Sequence, residues 1–267
     1  MFASAFLVNV LLATAAFAIP TSRERLNQRV ARRLGLDHQS GVKVASSSDI
    51  AATGNTTHAE FSSNWSGAVL VQGSGTFKSV TGTFTIPTPK EPSGGSGTHS
   101  ASAWVGIDGD TCGTAILQTG IDFTVSGTRT SFDAWFEWFP DFAHDFSGIS
   151  LSPGNSITVS VVATSTTGGT ATIVNHSTGQ TVSHTFSGQP ALCQENAEWI
   201  VEDFESGNSL VPLANWGTVT FTGASAGTSS GTVTPSGATI INMEQNGRVL
   251  TNAAASGSSV TVQYTGP

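Results

Sequence analysis

The chain has 267 residues, of which only 10% are charged, and its formal net charge at pH 7 is −8. This length allows one or two domains with a sizeable core, and the scarcity of Lys and Arg excludes the basic patch that nucleic-acid binding requires. Low charge together with many β-branched and aromatic residues favours a β-rich globular protein over a disordered one.

The first 18 residues resemble a secretion signal. They are apolar and uncharged, and they end in Ala16-Phe17-Ala18, a small-residue cleavage pattern. An uncleaved membrane anchor is the alternative, but the apolar stretch is short for a transmembrane helix. We therefore expect residues 1–18 to be removed and the protein to be secreted to the extracellular space without membrane attachment.

A basic segment follows the signal. Residues 19–60 contain six of the ten Lys and Arg and have a net charge of +2, whereas residues 61–267 have a net charge of −10. The opposite charges predict a prosegment that binds the acidic body, inhibits it, and is released when the carboxylates protonate in acid. A leader without an inhibitory role is the alternative.

Two parts of this prosegment differ in pattern. Leu26, Val30 and Leu34 recur at helical spacing and predict a short amphipathic helix over residues 23–36. Residues 44–60 are polar and low in complexity, so they are expected to form a linker in which maturation cleavage falls. The body is thus expected to span residues 61–267, with an uncertain boundary.

The body consists of short apolar stretches bounded by Gly, Pro, Asn or Ser, and Asn246-Gly247 is typical of a tight hairpin turn. This pattern predicts an all-β fold, a sandwich of two packed antiparallel sheets of the concanavalin A-like or jelly-roll type. The predicted strands are 66–72, 76–86, 100–108, 114–119, 131–139, 156–165, 170–174, 181–186, 196–204, 217–222, 239–244, 248–252 and 259–264.

Strand alternation brings carboxylates and tryptophans onto common faces. In 131–139 one face carries Asp133, Trp135 and Glu137. In 196–205 one face carries Glu198 and Glu202, and in 101–108 one face carries Trp104 and Asp108. Such a mixture is costly as a core, so it predicts the floor of a ligand-binding groove.

Simpler interpretations remain open for single residues. Trp104 and Trp135 are individually more typical of a core, Asp108 precedes Gly109 and could be a turn residue, and Gln118 could be an ordinary polar strand position. Two other functions also fit an acidic, aromatic groove. One is a β-sandwich glycosidase that uses Glu137 and Glu202, and the other is a carbohydrate-binding domain that stacks sugars on its tryptophans.

Other chemistries have less support. The chain lacks His-Glu-x-x-His, a phosphate-binding loop and the Asp-Thr-Gly or Asp-Ser-Gly of aspartic peptidases. Nothing suggests a metal site or a cofactor. Cys112 and Cys193 are the only cysteines, and in an exported protein a single long-range disulfide is the expected state, which leaves no thiol nucleophile.

Several longer sequence motifs resemble those of the glutamic peptidases, or eqolisins, and the resemblance covers essentially all of residues 61–267 in the family's order. The matching motifs are Asn64-Trp65-Ser66-Gly67-Ala68, Ala103-Trp104-Val105-Gly106-Ile107-Asp108-Gly109-Asp110-Thr111-Cys112, Ala115-Ile116-Leu117-Gln118-Thr119-Gly120, Asp133-Ala134-Trp135-Phe136-Glu137-Trp138-Phe139-Pro140 and Asn196-Ala197-Glu198-Trp199-Ile200-Val201-Glu202-Asp203-Phe204.

The resemblance implies a secreted monomeric acid endopeptidase that acts on proteins without a cofactor. It implies that Gln118 and Glu202, rather than Glu198, are catalytic: Glu202 activates a water and Gln118 stabilises the oxyanion. It also implies a Cys112–Cys193 disulfide. The supporting groove positions that it implies are Trp104, Asp108, Asp133, Trp135 and Glu137.

Three Asn-x-Ser/Thr patterns occur, at Asn55, Asn64 and Asn175. The pattern is common and therefore weak. Only Asn175 is predicted to lie in a surface turn, so it is the glycosylation candidate.

Overall fold

The computed structural model describes residues 36–37, 59–206 and 209–267. Its strands are β1 (Leu36–Asp37), β2 (Ala59–Ser62), β3 (Trp65–Val71), β4 (Phe77–Thr85), β5 (Thr98–Ile107), β6 (Ile116–Ser126), β7 (Arg129–Phe139), β8 (His144–Asp145), β9 (Ser156–Ser165), β10 (Gly168–Asn175), β11 (Gln180–Phe186), β12 (Asn196–Glu202), β13 (Glu205–Ser206), β14 (Thr218–Thr228), β15 (Gly231–Val233), β16 (Thr239–Gln245), β17 (Arg248–Val249), β18 (Thr251–Ser256) and β19 (Ser259–Tyr264).

Two large sheets form the body. The first has eight strands in the order β11-β10-β9-β4-β14-β19-β18, with β15 paired to β14. The second has nine strands in the order β17-β16-β3-β12-β5-β6-β7-β8, with β2 paired to β16. Strands β1 and β13 form a separate antiparallel pair. The predicted all-β sandwich is confirmed, with one parallel pairing, between β2 and β16.

The main hydrophobic core lies between the two sheets. Trp199 and Val201 of β12 and Trp138 of β7 belong to it, and burial of such side chains is the main favourable term in folding. A second, smaller cluster contains Trp104 and Ile200 and lies on the opposite face of the nine-stranded sheet. The period-two assignment of faces is therefore confirmed for β7 and β12, whereas Asp108 lies beyond the end of β5.

The structure agrees with the predicted strands at most positions, but β6 and β14 continue to Ser126 and Thr228, beyond their predicted ends at 119 and 222, and some short strands were not predicted. Strands β9 and β19 have the predicted bounds, whereas β2, β8, β13 and β15 are not among the predicted strands. Asn246 and Gly247 have φ values of 53° and 73° at the β16–β17 hairpin, as the Asn-Gly turn requires. The predicted helix lies outside the described residues except for Leu36, which is in β1.

The expected disulfide is present. Cys112 and Cys193 are bonded with their Cα atoms 6.2 Å apart. Cys112 precedes β6 and Cys193 precedes β12, so the bond ties together the segments that lead into the strands of Gln118 and Glu202.

Candidate active site

Five neighbouring strands of the nine-stranded sheet, β3, β12, β5, β6 and β7, place side chains in three rows on one face. The first row contains Glu198, Gly106, Gln118 and Glu137. The second contains Ile200, Trp104, Gly120 and Trp135. The third contains Trp65, Glu202, Ser102, Asp122 and Asp133. Gln118 and Glu202 thus share a face, in rows on either side of Trp104.

Glu202 is held by three N–H donors. Asn64 Nδ2 and Trp65 Nε1 donate to Oε1, each at 3.1 Å, and Trp104 Nε1 donates to Oε2 at 2.8 Å. The two indole rings meet edge to face with centroids 4.9 Å apart. Glu202 is fully buried, and hydrogen bonds donated to a carboxylate favour its ionised form. The arrangement therefore holds a fixed carboxylate.

Gln118 is oriented by Glu137. Its Nε2 donates to Glu137 Oε1 at 3.1 Å across the β6–β7 pair, and both residues are fully buried. A carboxamide nitrogen has two hydrogens, so the second is available to another acceptor. Within the described chain, Gln118 Oε1 is buried without a hydrogen-bond partner.

Trp135, which lies in the second row, is hydrogen-bonded to Ser102 of the third row. The Trp135 indole Nε1 donates to Ser102 Oγ at 3.0 Å, and that hydroxyl donates to Asp122 Oδ1 at 2.8 Å. Thr119 Oγ1 donates to the Trp135 carbonyl at 2.6 Å. These bonds fix the indole on the same face as Trp104.

Asp108 has a different neighbourhood from the one predicted for it. Its carboxylate accepts the backbone N–H groups of Gln194, Glu195 and Asn196 at 2.7, 2.8 and 3.2 Å. Burial raises the pKa of Asp108, while the three backbone donors oppose the rise. Asp108 therefore anchors the segment that leads into β12.

Glu198, four residues before Glu202, is fully buried. Neither of its carboxyl oxygens has a hydrogen-bond partner within the described residues. Burial raises the pKa of Glu198 well above its usual value, and the charges of Asp108 and Asp110 add to the rise. The raised pKa favours the neutral carboxylic acid form of Glu198 in acid.

Asp203 is a second buried acid with a raised pKa. Burial raises the pKa of Asp203 to about 8, against the hydrogen bond from Gln245, with a further increase from Glu202 and Glu205. Gln245 Nε2 donates to Asp203 Oδ2 at 2.7 Å.

The tryptophans and the two candidate catalytic side chains of this face are buried. Trp104, Trp135, Gln118 and Glu202 have no exposed surface. The tryptophans pack with Trp65, Ile200 and other apolar side chains into the smaller cluster. These tryptophans therefore form a small core around the carboxylates.

Asp133 lies at the border of this face, half-buried beside a cavity of about 230 Å³. The cavity is lined by apolar side chains, including Phe146 and Leu151, and by Asp145. It lies where β8 ends at the edge of the nine-stranded sheet.

Sequence reasoning missed Asn64 and Trp65 as donors to Glu202, and it missed Ser102 and Asp122 in the third row. Ser102 could have been found, because it lies two positions from Trp104 in the same predicted strand and so shares its face. Asp122 lies beyond residue 119, where the predicted strand of Gln118 ended, although β6 continues to Ser126. Asn64 and Trp65 lie more than 130 residues before Glu202 in the sequence. Strand alternation does not tell which distant strands pair, so it could not bring them next to Glu202.

Asn175 is not a surface residue. It has no exposed surface, its Nδ2 donates to Ser150 O and Asn155 Oδ1, and its Oδ1 accepts two backbone N–H groups. A glycan on that nitrogen would displace these bonds, so the structure argues against the glycosylation prediction.

The described residues offer neither a metal-binding cluster nor a membrane-spanning helix. No group of three or more His, Cys, Asp or Glu side chains in these ranges is arranged to hold a metal ion. No helix there has the length and hydropathy needed to cross a membrane.

Comparison with known proteins identifies the class. Residues 63–264 match the model of the peptidase A4 family. The chain is 50% identical to aspergillopepsin-2 of Aspergillus niger over 98% of this chain and 99% of that protein. It is 40% identical to scytalidopepsin B of Scytalidium lignicola over 98% of both chains.

Solved structures agree. A crystal structure of scytalido-glutamic peptidase with a transition state analog inhibitor matches with a TM-score of 0.70 and 43% identity, covering 76% of this chain and 98% of that one. Aspergilloglutamic peptidase from Aspergillus niger matches with a TM-score of 0.61 and 59% identity, covering 62% and 99%. The chain belongs to the peptidase A4 family of glutamic peptidases. It is a hydrolase of peptide bonds, which decides against the glycosidase and the carbohydrate-binding domain.

Proposed function

We propose that the protein is a secreted endopeptidase that cleaves protein substrates in acid, with Glu202 and Gln118 as its catalytic pair. The observation that carries the proposal is the set of three N–H donors on Glu202. A general base that acts in acid must stay ionised there, and an unperturbed glutamate has a pKa of about 4.3. Donors that favour the carboxylate meet this need.

In the first step the Glu202 carboxylate accepts a proton from a water molecule, and the water oxygen attacks the scissile carbonyl carbon. The carbonyl π electrons move to its oxygen, which becomes an oxyanion. The second N–H of the Gln118 carboxamide donates to this oxyanion, because Glu137 occupies the first. One such donor commonly contributes about 3 kcal/mol to transition-state stabilisation.

In the second step the protonated Glu202 gives its proton to the amide nitrogen, and the C–N bond breaks to leave a carboxylic acid and an amine. One residue thus acts as base and then as acid. Glu198 is a poor substitute for Glu202, because a glutamate that is already protonated in acid cannot accept the proton of the water.

The prosegment is proposed to inhibit the precursor. Leu36–Asp37 pairs antiparallel with Glu205–Ser206, three to four residues after Glu202. A strand added here, on a chain whose candidate site has no exposed surface, supports a closed zymogen. The net charges of +2 for residues 19–60 and −10 for residues 61–267 support release when carboxylates protonate.

The test is hydrolysis of denatured protein by the purified mature domain between about pH 2 and 6, the range in which a glutamate changes its charge. Glu202→Gln and Gln118→Ala are each expected to lose activity by about 100-fold or more while remaining folded, as thermal unfolding will show. Glu195→Gln, a surface acid outside the three rows, is the matched control. Full activity in either site variant would refute the pair.

A further inference from the structure

Glu198 is a buried acid that the proposed reaction does not use. It lies on the same face as Gln118 and Glu202, has no exposed surface, and neither carboxyl oxygen has a hydrogen-bond partner in the described part of the chain. Burying a polar group without a partner costs about 1–3 kcal/mol. Glu198 lowers the stability of the fold by this amount and lies on the face of the proposed catalytic pair. This combination suggests that Glu198 has a role in the reaction.

The register brings Glu198 towards Gln118. Both residues flank Gly106, Glu198 from β12 and Gln118 from β6. A Cβ atom built on Gly106 would lie 2.9 Å from Glu198 Oε1 and 3.3 Å from Gln118 Cβ. The ring of Trp104 also lies 2.9 Å from this point. Glu198, Trp104 and Gln118 therefore all border the Gly106 position, and the absence of a side chain there leaves room for the three of them.

The hydrogen-bonding capacities of the two residues are complementary. Gln118 Oε1 is a buried acceptor without a partner in the described residues, and a protonated carboxyl group offers one O–H donor. We propose that Glu198 is a positioning residue that donates its O–H to Gln118 Oε1 through one bridging water. With Glu137 on one amide hydrogen, this contact turns the other hydrogen towards the substrate carbonyl.

The surroundings of Glu198 keep it protonated. Its neighbour on β3 is the apolar Val69. The titratable groups around it are all acidic: Glu202 on its own strand, Glu137 on β7, and Asp108 and Asp110 after β5. Burial first, then Asp108 and Asp110, raise the pKa of Glu198. The O–H donor is therefore present at the acidic pH at which the enzyme is proposed to work.

This inference rests on the proposed role of Gln118, and its test uses two variants of similar length. Glu198→Gln keeps a donor and cannot ionise, whereas Glu198→Met has no donor. At about pH 4 we expect Glu198→Met to lose kcat by about fivefold with KM unchanged within about twofold, because one hydrogen bond contributes about 1 kcal/mol. Glu198→Gln should keep kcat within about threefold.

Glu244→Gln and Glu244→Met are the matched controls, because Glu244 is a buried glutamate of the same sheet outside the three rows. A folded Glu198→Met with wild-type kcat would overturn the inference. So would a Glu198→Gln variant that loses kcat by about tenfold or more, whether or not Glu198→Met folds. Gln118→Ala, assayed beside them, separates the two proposals: if it is fully active, the catalytic pair itself is wrong.

Discussion

Trp104 contributes a single polar atom to the candidate site, its indole Nε1, which donates to Glu202 Oε2 at 2.8 Å. Its ring also packs edge to face on Trp65. These two roles can be separated, because phenylalanine retains an aromatic ring and lacks the donor. We infer that this donor helps to keep Glu202 ionised in acid.

We predict that Trp104→Phe lowers kcat/KM most strongly at the lowest pH. One hydrogen bond to a charged group contributes about 1.5–3 kcal/mol, which corresponds to about one to two pH units. The acid limb of the pH–rate profile should therefore move up by about this amount. Trp216→Phe is the control, because the Trp216 indole donates to the Val262 carbonyl. An unmoved acid limb in Trp104→Phe would refute this role.

At the scale of the element, strand β3 can approach β12 closely because residue 67 is glycine. A Cβ on Gly67 would lie 2.0 Å from the Trp199 backbone carbonyl oxygen, and Gly67 has a φ of 156°. Backbone atoms cannot yield to such a contact as a flexible side chain can. Strand β3 also follows directly from Asn64 and contains Trp65, both donors to Glu202.

We therefore predict that Gly67→Ala lowers the free energy of unfolding by about 3 kcal/mol or more, or prevents folding, because the β3–β12 pair must separate. Gly73→Ala is the matched control, since nothing lies within 4 Å of a Cβ at that position, and its effect should stay within about 0.5 kcal/mol. Denaturant unfolding measures both. Equal stability of the two variants would contradict the structure at this pair.

The same elements show how far the sequence predicts the fold and the site. Alternation identified the faces of β5, β7 and β12, because the period of two is local. It did not predict β2, whose residues Ala59–Ser62 pair in parallel with β16 through a register that only the assembled sheet defines. The donors from Asn64 and Trp65 were missed for the same reason, and Asn175 was misjudged because its turn is packed.

At the scale of the whole molecule, the body combines few bases with buried acids. Residues 61–267 contain only four Lys and Arg, so little positive charge accumulates in acid, which limits one cause of acid unfolding. Asp203 and Glu198 are buried with raised pKa values. In the unfolded chain both groups ionise freely as the pH rises, whereas burial in the folded protein opposes their ionisation. The fold should therefore be more stable in acid than at neutral pH.

The direction in which stability changes with pH follows from the difference between the pKa of Asp203 in the folded and the unfolded protein. Its pKa is raised from 3.8 to about 8 in the folded protein. Its contribution to stability is therefore fully present below about pH 3.8 and is lost as the pH rises towards 8. Over this window the loss is about 1.4 kcal/mol per pH unit.

We predict that Asp203→Asn removes much of this dependence, because asparagine can keep a partner in Gln245 and cannot ionise. Denaturant unfolding at about pH 4, 6 and 8 should show a smaller fall in the free energy of unfolding for the variant than for the wild type. Glu91→Gln is the control, since Glu91 is a half-buried acid that is not among the groups that shift the pKa of Asp203. Parallel curves for the wild type and Asp203→Asn would contradict the assignment.

We infer that two glutamates on one strand face have opposite protonation states in acid, with Glu202 as the ionised base and Glu198 as a neutral acid. The most direct test compares kcat/KM of Glu202→Gln and Glu198→Gln on one oligopeptide at about pH 4, with folding checked by thermal unfolding. We predict a loss of about 100-fold or more for Glu202→Gln and a change within about threefold for Glu198→Gln. The reverse order would contradict the account.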